Sequence, residues 1–134
     1  MALKKETNQM TLNAHFNRSA TDVTGNVTLT AADSGKTFVV KADGVVITLP
    51  STALGLTYTF KNGSRYDGEY AYTVAPAAAD GVTGNGFTAA VNKAITVSKA
   101  TSRAKDEFTI LGTGTAGVTG WTFQQVMGTV TRAA

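Results

Sequence analysis

A few residues in this sequence have types and spacings that invite a chemical reading, and each lacks something the chemistry requires. Gly35-Lys36-Thr37 is the closing triplet of a phosphate-binding loop. That loop also needs a glycine where Thr30 stands, and a helix after the triplet whose N-terminus receives the phosphate. Phe38, Val39 and Val40 follow instead, which is strand composition. Asp80 and Asn85 sit among glycines in residues 77–86, as oxygen ligands for calcium would. The alternating Asp/Asn spacing and the distal glutamate of a calcium loop are absent, so the stretch reads as a plain loop. His15 is the one histidine, and no Asp, Glu or Cys cluster adjoins it, so it reads as a surface residue rather than a base or a ligand. The chain has no cysteine, hence no thiolate nucleophile, thiolate metal site or disulfide. Serine and threonine are plentiful but lack a base, and no two carboxylates are spaced for shared acid–base work. The expectation is a protein that is not an enzyme and has no cofactor and no metal.

Charge narrows the partners. Twelve Lys and Arg against nine Asp and Glu give a net charge of +3, spread along the chain. The nearest approach to a basic patch is Lys93, Lys99, Arg103 and Lys105, and Asp80, Asp106 and Glu107 flank it. A nucleic-acid binder concentrates its cations on one face or run, so no nucleic acid is expected. No apolar run approaches the ~20 residues of a membrane span, so no membrane is expected either. Met1-Ala2-Leu3-Lys4-Lys5-Glu6 has a basic pair with no apolar stretch behind it. It does not read as a secretory signal, and synthesis and folding in the cytoplasm are expected.

The elements that would position any site are strands. A chain of 134 residues fits one domain with a real core. Its organising stretch is residues 27–62. Phe38, Val39 and Val40 form one apolar run, and Val45, Val46, Ile47 and Leu49 form a second. In a third, Tyr58 and Phe60 alternate with Thr57 and Thr59. Turn residues separate them: Asp33-Ser34-Gly35, Asp43-Gly44, Pro50 and Lys61-Asn62-Gly63. Asp-Gly between two such runs predicts a hairpin, and the whole reads as a β-meander.

Further along, Tyr70, Tyr72 and Val74 alternate and Pro76 stops the run. Phe87, Ala90, Val91 and Ala94 have helical spacing, which allows a short helical turn. Residues 94–98 and 106–111 read as strands, the latter with Phe108 and Ile110 on one face, and residues 112–120 as a hairpin loop. Next, Trp121, Phe123, Gln125 and Met127 share one face, and Thr122, Gln124 and Val126 the other. Trp121 and Phe123 are expected in the core. Gly128 allows a kink, and residues 129–131 close the last strand. Short strands at spacings of about 8–12 residues predict an all-β fold, a small antiparallel β-sandwich or β-barrel.

Residues 1–22 differ from residues 23–134, the single β domain. They are polar and sustain neither the strand nor the helix period. Leu3, Met10, Leu12 and Phe16 are isolated, with Lys4, Lys5 and Arg18 among them. A frayed tail is one reading. An extended N-terminal arm that orders against a partner, with the apolar residues as anchors, is the other, and the density of anchors favours it.

Two segments carry a resemblance. The first runs Leu29-Thr30-Ala31-Ala32-Asp33-Ser34-Gly35-Lys36-Thr37-Phe38, then Val46-Ile47-Thr48-Leu49-Pro50 and Gly55-Leu56-Thr57-Tyr58-Thr59-Phe60. It is similar to a pattern in virion proteins of tailed bacteriophages. The second, Asp106-Glu107-Phe108-Thr109-Ile110-Leu111 with Gly120-Trp121 and Gly128-Thr129-Val130, resembles the closing hairpin of the same domain. Together they cover about residues 27–131. The resemblance is to capsid decoration proteins, also called cement or auxiliary head proteins. It implies a structural virion protein on the outer surface of the capsid, with the major capsid protein as partner and a homo-oligomer, a trimer favoured. The capsid-binding arm would be Leu3, Lys4, Lys5, Met10, Leu12, Phe16 and Arg18. The alternative setting is a tail fibre or spike module that binds a host receptor or glycan through Tyr66, Tyr70, Tyr72 or Trp121.

Overall fold

The computed structural model describes residues 20–133. Its strands are β1 (Ala20–Val23), β2 (Val27–Thr28), β3 (Thr37–Val40), β4 (Val45–Thr48), β5 (Thr57–Asn62), β6 (Tyr72–Ala75), β7 (Asp80–Thr83), β8 (Ile95–Val97), β9 (Glu107–Gly112), β10 (Gly117–Met127) and β11 (Thr131–Arg132). The fold is all-β. Ala31–Asp33 forms a short 3-10 turn, and no described helix is long and apolar enough to cross a membrane. The first described strand starts at Ala20, ahead of the expected domain start near Val23.

Side-chain alternation builds the strands, and one shared core collects them. In β5 every second residue is buried: Tyr58 and Phe60 are fully buried and Asn62 nearly so, while Thr57, Thr59 and Lys61 face outward. β3, β6 and β9 repeat the pattern. Phe38, Phe60 and Phe108 occupy matched positions on β3, β5 and β9, with centroids 5.9 and 5.2 Å apart. On the opposite face of these strands Thr59 and Thr109 are partners, and their hydroxyls lie 2.9 Å apart. The strands form two sheets, ordered β1-β3-β5-β9-β10-β7 and β11-β8-β6-β4-β2. Tyr72, from the second sheet, stacks on Phe108 of the first at 6.4 Å and 4°. Burial of these rings is the main stabilising term.

The expected antiparallel meander is corrected. The first six strands alternate between the sheets, and within each sheet they pair in parallel: β1 with β3, β3 with β5, β2 with β4 and β4 with β6. Asp43-Gly44 is a turn, but not a hairpin turn. It carries the chain from one sheet to the other, and its polar groups bond Ala71 on the next pass: Gly44 N donates to Ala71 O and Ala71 N to Asp43 Oδ1. Period-2 alternation says which face is buried, not which strand lies alongside. The expected hairpin after β9 is present, since β9 and β10 pair antiparallel from Gly112 opposite Trp121.

Three local expectations also change. Residues 77–86 are not wholly loop, because β7 runs through them, buried at Asp80, Gly81 and Val82 and parallel to β10. No helical turn forms over residues 87–94; Phe87 instead packs edge-on against Phe123 at 5.5 Å, with the Arg132 guanidinium 5.2 Å from the Phe87 ring centre. In β10 the register shifts between Phe123 and Gln125, a bulge at Gln124. The extra residue reverses the alternation, so Val126 packs on the core while Met127 is exposed.

Trp121 lies in the core, as expected, with no exposed surface. Its ring is 5.7 Å from Tyr58, and its buried Nε1 has no hydrogen-bond partner. An unmade buried hydrogen bond costs about 1–3 kcal/mol. Trp121→Ala should therefore destabilise by about 3–5 kcal/mol. Trp121→Phe, which keeps most of the ring and removes the orphan N–H, should cost less than half of that. Urea unfolding of both variants checks this; equal losses would mean that the indole N–H is satisfied.

Candidate functional site

Two of the sequence's chemical candidates fasten loops in the structure. Lys36 is turned onto its own loop, its Nζ 3.0 Å from Asp33 Oδ1. Asp33 in turn accepts Thr30 N at 2.9 Å, and Gly35 N donates to Thr57 O. The Thr30 amide, then Lys36, hold the Asp33 carboxyl below the usual carboxylate range. The triplet is a strand entry fastened to its neighbours. Asp80 is buried in β7, where Oδ2 accepts Thr52 N at 2.8 Å, a fastener rather than an open ligand. Among the described residues no group of three or more His, Cys, Asp or Glu could hold a metal ion.

The expected arm residues Leu3, Lys4, Lys5, Met10, Leu12, Phe16 and Arg18 lie outside the described residues, as does His15. Among the described residues β1 ends the six-stranded sheet and β2 the five-stranded one, with residues 24–26 between them. An apolar groove of about 240 Å³ opens there, lined by residues 21–27 and Phe38. Val27 is half-buried, whereas Ile47, its partner on β4, is fully buried.

A second, more polar cleft of about 450 Å³ lies between residues 67–68 and 99–103 and is closed by Thr129. Asn62 builds it. The strand period turns this side chain inward, and it is 1% exposed. Its Nδ2 donates to the Ser102 hydroxyl, and its Oδ1 accepts from Ser64 N at 3.0 Å and from the Ser64 hydroxyl. Asn62 N donates to Asp106 O and Lys105 N donates to Asn62 O. One buried amide thus joins residues 63–68 to residues 98–106. Sequence reading took Asn62 as a turn residue; the available signal was its place two after Phe60, on the inward face.

Charged pairs set the rim. Lys99 Nζ lies 2.7 Å from Asp43 Oδ2, and Arg65 NH2 lies 2.6 Å from Glu69 Oε2. The Lys99 hydrogen bond, then the Ala71 amide, hold the Asp43 carboxyl below the usual range, and the Arg65 side chain does the same for Glu69. Of the four cations in the expected basic stretch, Lys99 and Arg103 line the cleft and Lys93 and Lys105 do not. Of the aromatic candidates, Tyr66 is 59% exposed beside Arg65, Tyr70 is half-buried, and Tyr72 and Trp121 are buried. The cleft presents hydroxyls, the Lys99 and Arg103 cations and the Asp67 carboxylate to a polar ligand. No protein-family model matches this chain, and no curated protein matches it.

Asn62→Ala strands its serine partners and should destabilise by about 2–3 kcal/mol. Amide exchange across residues 63–68 and 98–105 should rise with it, whereas a change confined to residue 62 would deny Asn62 its joining role. Acid should act on the paired carboxylates. Asp33, Asp43 and Glu69 have lowered folded values, so their contributions are present above the ordinary carboxylate range and vanish as pH falls through the lowered values. The melting temperature should hold from pH 8 to about 5 and fall below about pH 4. Asp43→Asn should fall less steeply; an identical pH profile would remove Asp43 from the account.

Proposed function

We propose that this protein is a structural virion subunit that binds the outside of a phage head and cements neighbouring major capsid protein subunits. The observation that carries the reading is the phage-virion pattern across residues 27–131, most of whose large apolar positions, Leu29, Phe38, Ile47, Leu49, Tyr58, Phe60, Phe108, Ile110 and Trp121 among them, lie in one core. The two sheets are best taken as a sandwich: β1 and β7 end one sheet, β2 and β11 the other, and no described strand pairs across them. Among the described residues β1 and β2 end their sheets, and the proposed arm, with Leu3, Lys4, Lys5, Met10, Leu12, Phe16 and Arg18, precedes β1 in the chain, where strand addition would carry the contact.

Bridging several capsid subunits multiplies modest contacts through effective concentration. A trimer at a local symmetry axis of the capsid gives three arms, each of which reaches a different capsomer. Ordering an arm on docking has an entropic cost, which the remaining arms share by holding the subunit in place.

A second reading, a fibre or spike module for a host receptor or glycan, is favoured by one observation. Exposed Tyr66 and Arg65 stand on the loop that enters the polar cleft.

Co-sedimentation with expanded capsids that lack this protein separates the two. The cement reading expects saturable binding at a fixed ratio to the capsid protein. It also expects at least tenfold weaker binding for the triple variant Leu3→Ala, Lys4→Ala, Lys5→Ala, and unchanged binding for Tyr66→Ala. No binding to capsids, with the protein found on tails or host cells and sensitive to Tyr66→Ala, would overturn it.

A further inference from the structure

The dipeptide Asn-Gly occurs twice in the chain, at Asn62-Gly63 and at Asn85-Gly86. In this pair no side chain hinders the glycine nitrogen on its way to the asparagine side-chain carbonyl carbon. An exposed, movable copy therefore deamidates without a catalyst. The fold treats the two copies in opposite ways.

Asn62 is locked at the end of β5. It is 1% exposed, and its amide bonds Ser102 on one side and Ser64 on the other. The attacking nitrogen, Gly63 N, is already committed to Val40 O at 2.8 Å. Gly63 is also tightly packed, since a Cβ there would lie 2.6 Å from Val40 O. Reaction at this copy requires a core strand to open, which approaches the cost of global unfolding.

Asn85 stands on the turn after β7, which Phe87 N closes by donating to Gly84 O at 3.0 Å. It is exposed and holds a φ of 52°, with Gly86 at 76°. A Cβ on Gly86 would meet no atom of the described residues within 4 Å, so the attacking nitrogen moves in open space. Asn85 Nδ2 donates to Val130 O at 3.1 Å. A carbonyl only accepts, so it is the amide nitrogen that faces Val130. Val130 enters the core immediately before β11. β11 itself is two residues long and pairs with β8, and Arg132 within it donates to Thr88 O and Thr88 Oγ1. Asn85 and Arg132 thus both tie the C-terminal strand to the segment that follows β7.

We infer that Asn85-Gly86 is a self-modification site, where Asn85 deamidates in the folded protein and so loosens the C-terminal strand β11. The turn first opens locally and Asn85 releases Val130 O. Gly86 N then bonds to Asn85 Cγ, the bond from Cγ to Nδ2 breaks, and the amide leaves as ammonia with the proton from Gly86 N. Water opens the resulting five-membered imide at either carbonyl, adding its hydroxyl to that carbon and its proton to the nitrogen. The product is aspartate or isoaspartate at position 85. Neither carries an N–H there, and an ionised carboxylate only accepts, so the bond to Val130 O is lost. The net charge of +3 falls by one. The inference is independent of the capsid reading, because it concerns the free subunit and needs no partner but water.

Asn62 serves as the internal control. The full-length protein is held in warm, mildly alkaline buffer, and peptides containing each copy are followed by mass spectrometry for the exchange of an amide nitrogen for oxygen. In the folded protein Asn85 should convert at least about tenfold faster than Asn62. In urea, where both copies are freed, the two rates should converge. Equal rates in the folded protein, or an Asn85 that converts only in urea, would overturn the inference. Amide exchange tests the consequence. Asn85→Asp should speed exchange at residues 131–133 by roughly fivefold and leave residues 57–62 of β5 unchanged. Unchanged exchange at residues 131–133 would mean that the bond to Val130 O does not hold the C-terminal strand, and would overturn the loosening.

Discussion

The constraint on which the structure depends is that two sheets share a single layer of inward side chains. Phe38, Phe60 and Phe108 line up across β3, β5 and β9, and Tyr72 meets them from the opposite sheet. Every strand that contributes to this layer must keep its period of two in phase with it. A slip of one residue would turn rings outward and hydroxyls inward. That is why the long strand β10 needs a bulge at Gln124: it leaves the phase set by Trp121 and re-enters it at Val126. Close packing also fixes where side chains must be missing. A Cβ on Gly81 would fall 2.1 Å from Ala90 O, and one on Gly120 2.9 Å from Asp80 Cβ. These glycines let β7 and β10 approach as a parallel pair.

Winding between sheets puts long crossings on the surface, and buried polar groups fasten them. Asn62 joins the loops after β5 and β8, and Asp80 holds Thr52 of the loop before β5. Such groups are stabilising only when their partners are in place, so they fix loop positions more than they add net stability. The polar cleft between residues 67–68 and 99–103 is the by-product of one such fastening. The apolar groove beside β2 is of a different kind. It lies beside the last described strand of the five-stranded sheet.

Much of the core was legible in the sequence, because burial follows side-chain type and period. Phe108 and Ile110, Tyr72 and Val74, and Tyr58 and Phe60 are all found inward, as their alternation implies. Strand pairing was not legible. Asp43-Gly44 has hairpin chemistry, yet its hydrogen bonds go to Ala71, a partner 28 residues away from Asp43 that no local window contains. β7 was hidden by the alanines before it and by Gly81, which marks a close approach here rather than a loop. Asn62 was hidden by its type, since a buried amide and a turn amide read alike until the period is applied. The arm residues, where the sequence placed the capsid contact, lie outside the described residues.

A β domain that spends most of its rings on the core suits the proposed work of attachment. A cryo-electron microscopy map of capsids saturated with the full-length protein tests this most directly. The account predicts density on the outer surface, with the β1–β2 end toward the capsid and the proposed arm of residues 1–22 reaching a neighbouring capsomer. Density that faces the capsid with the cleft beside Tyr66, or capsids without added density, would contradict it.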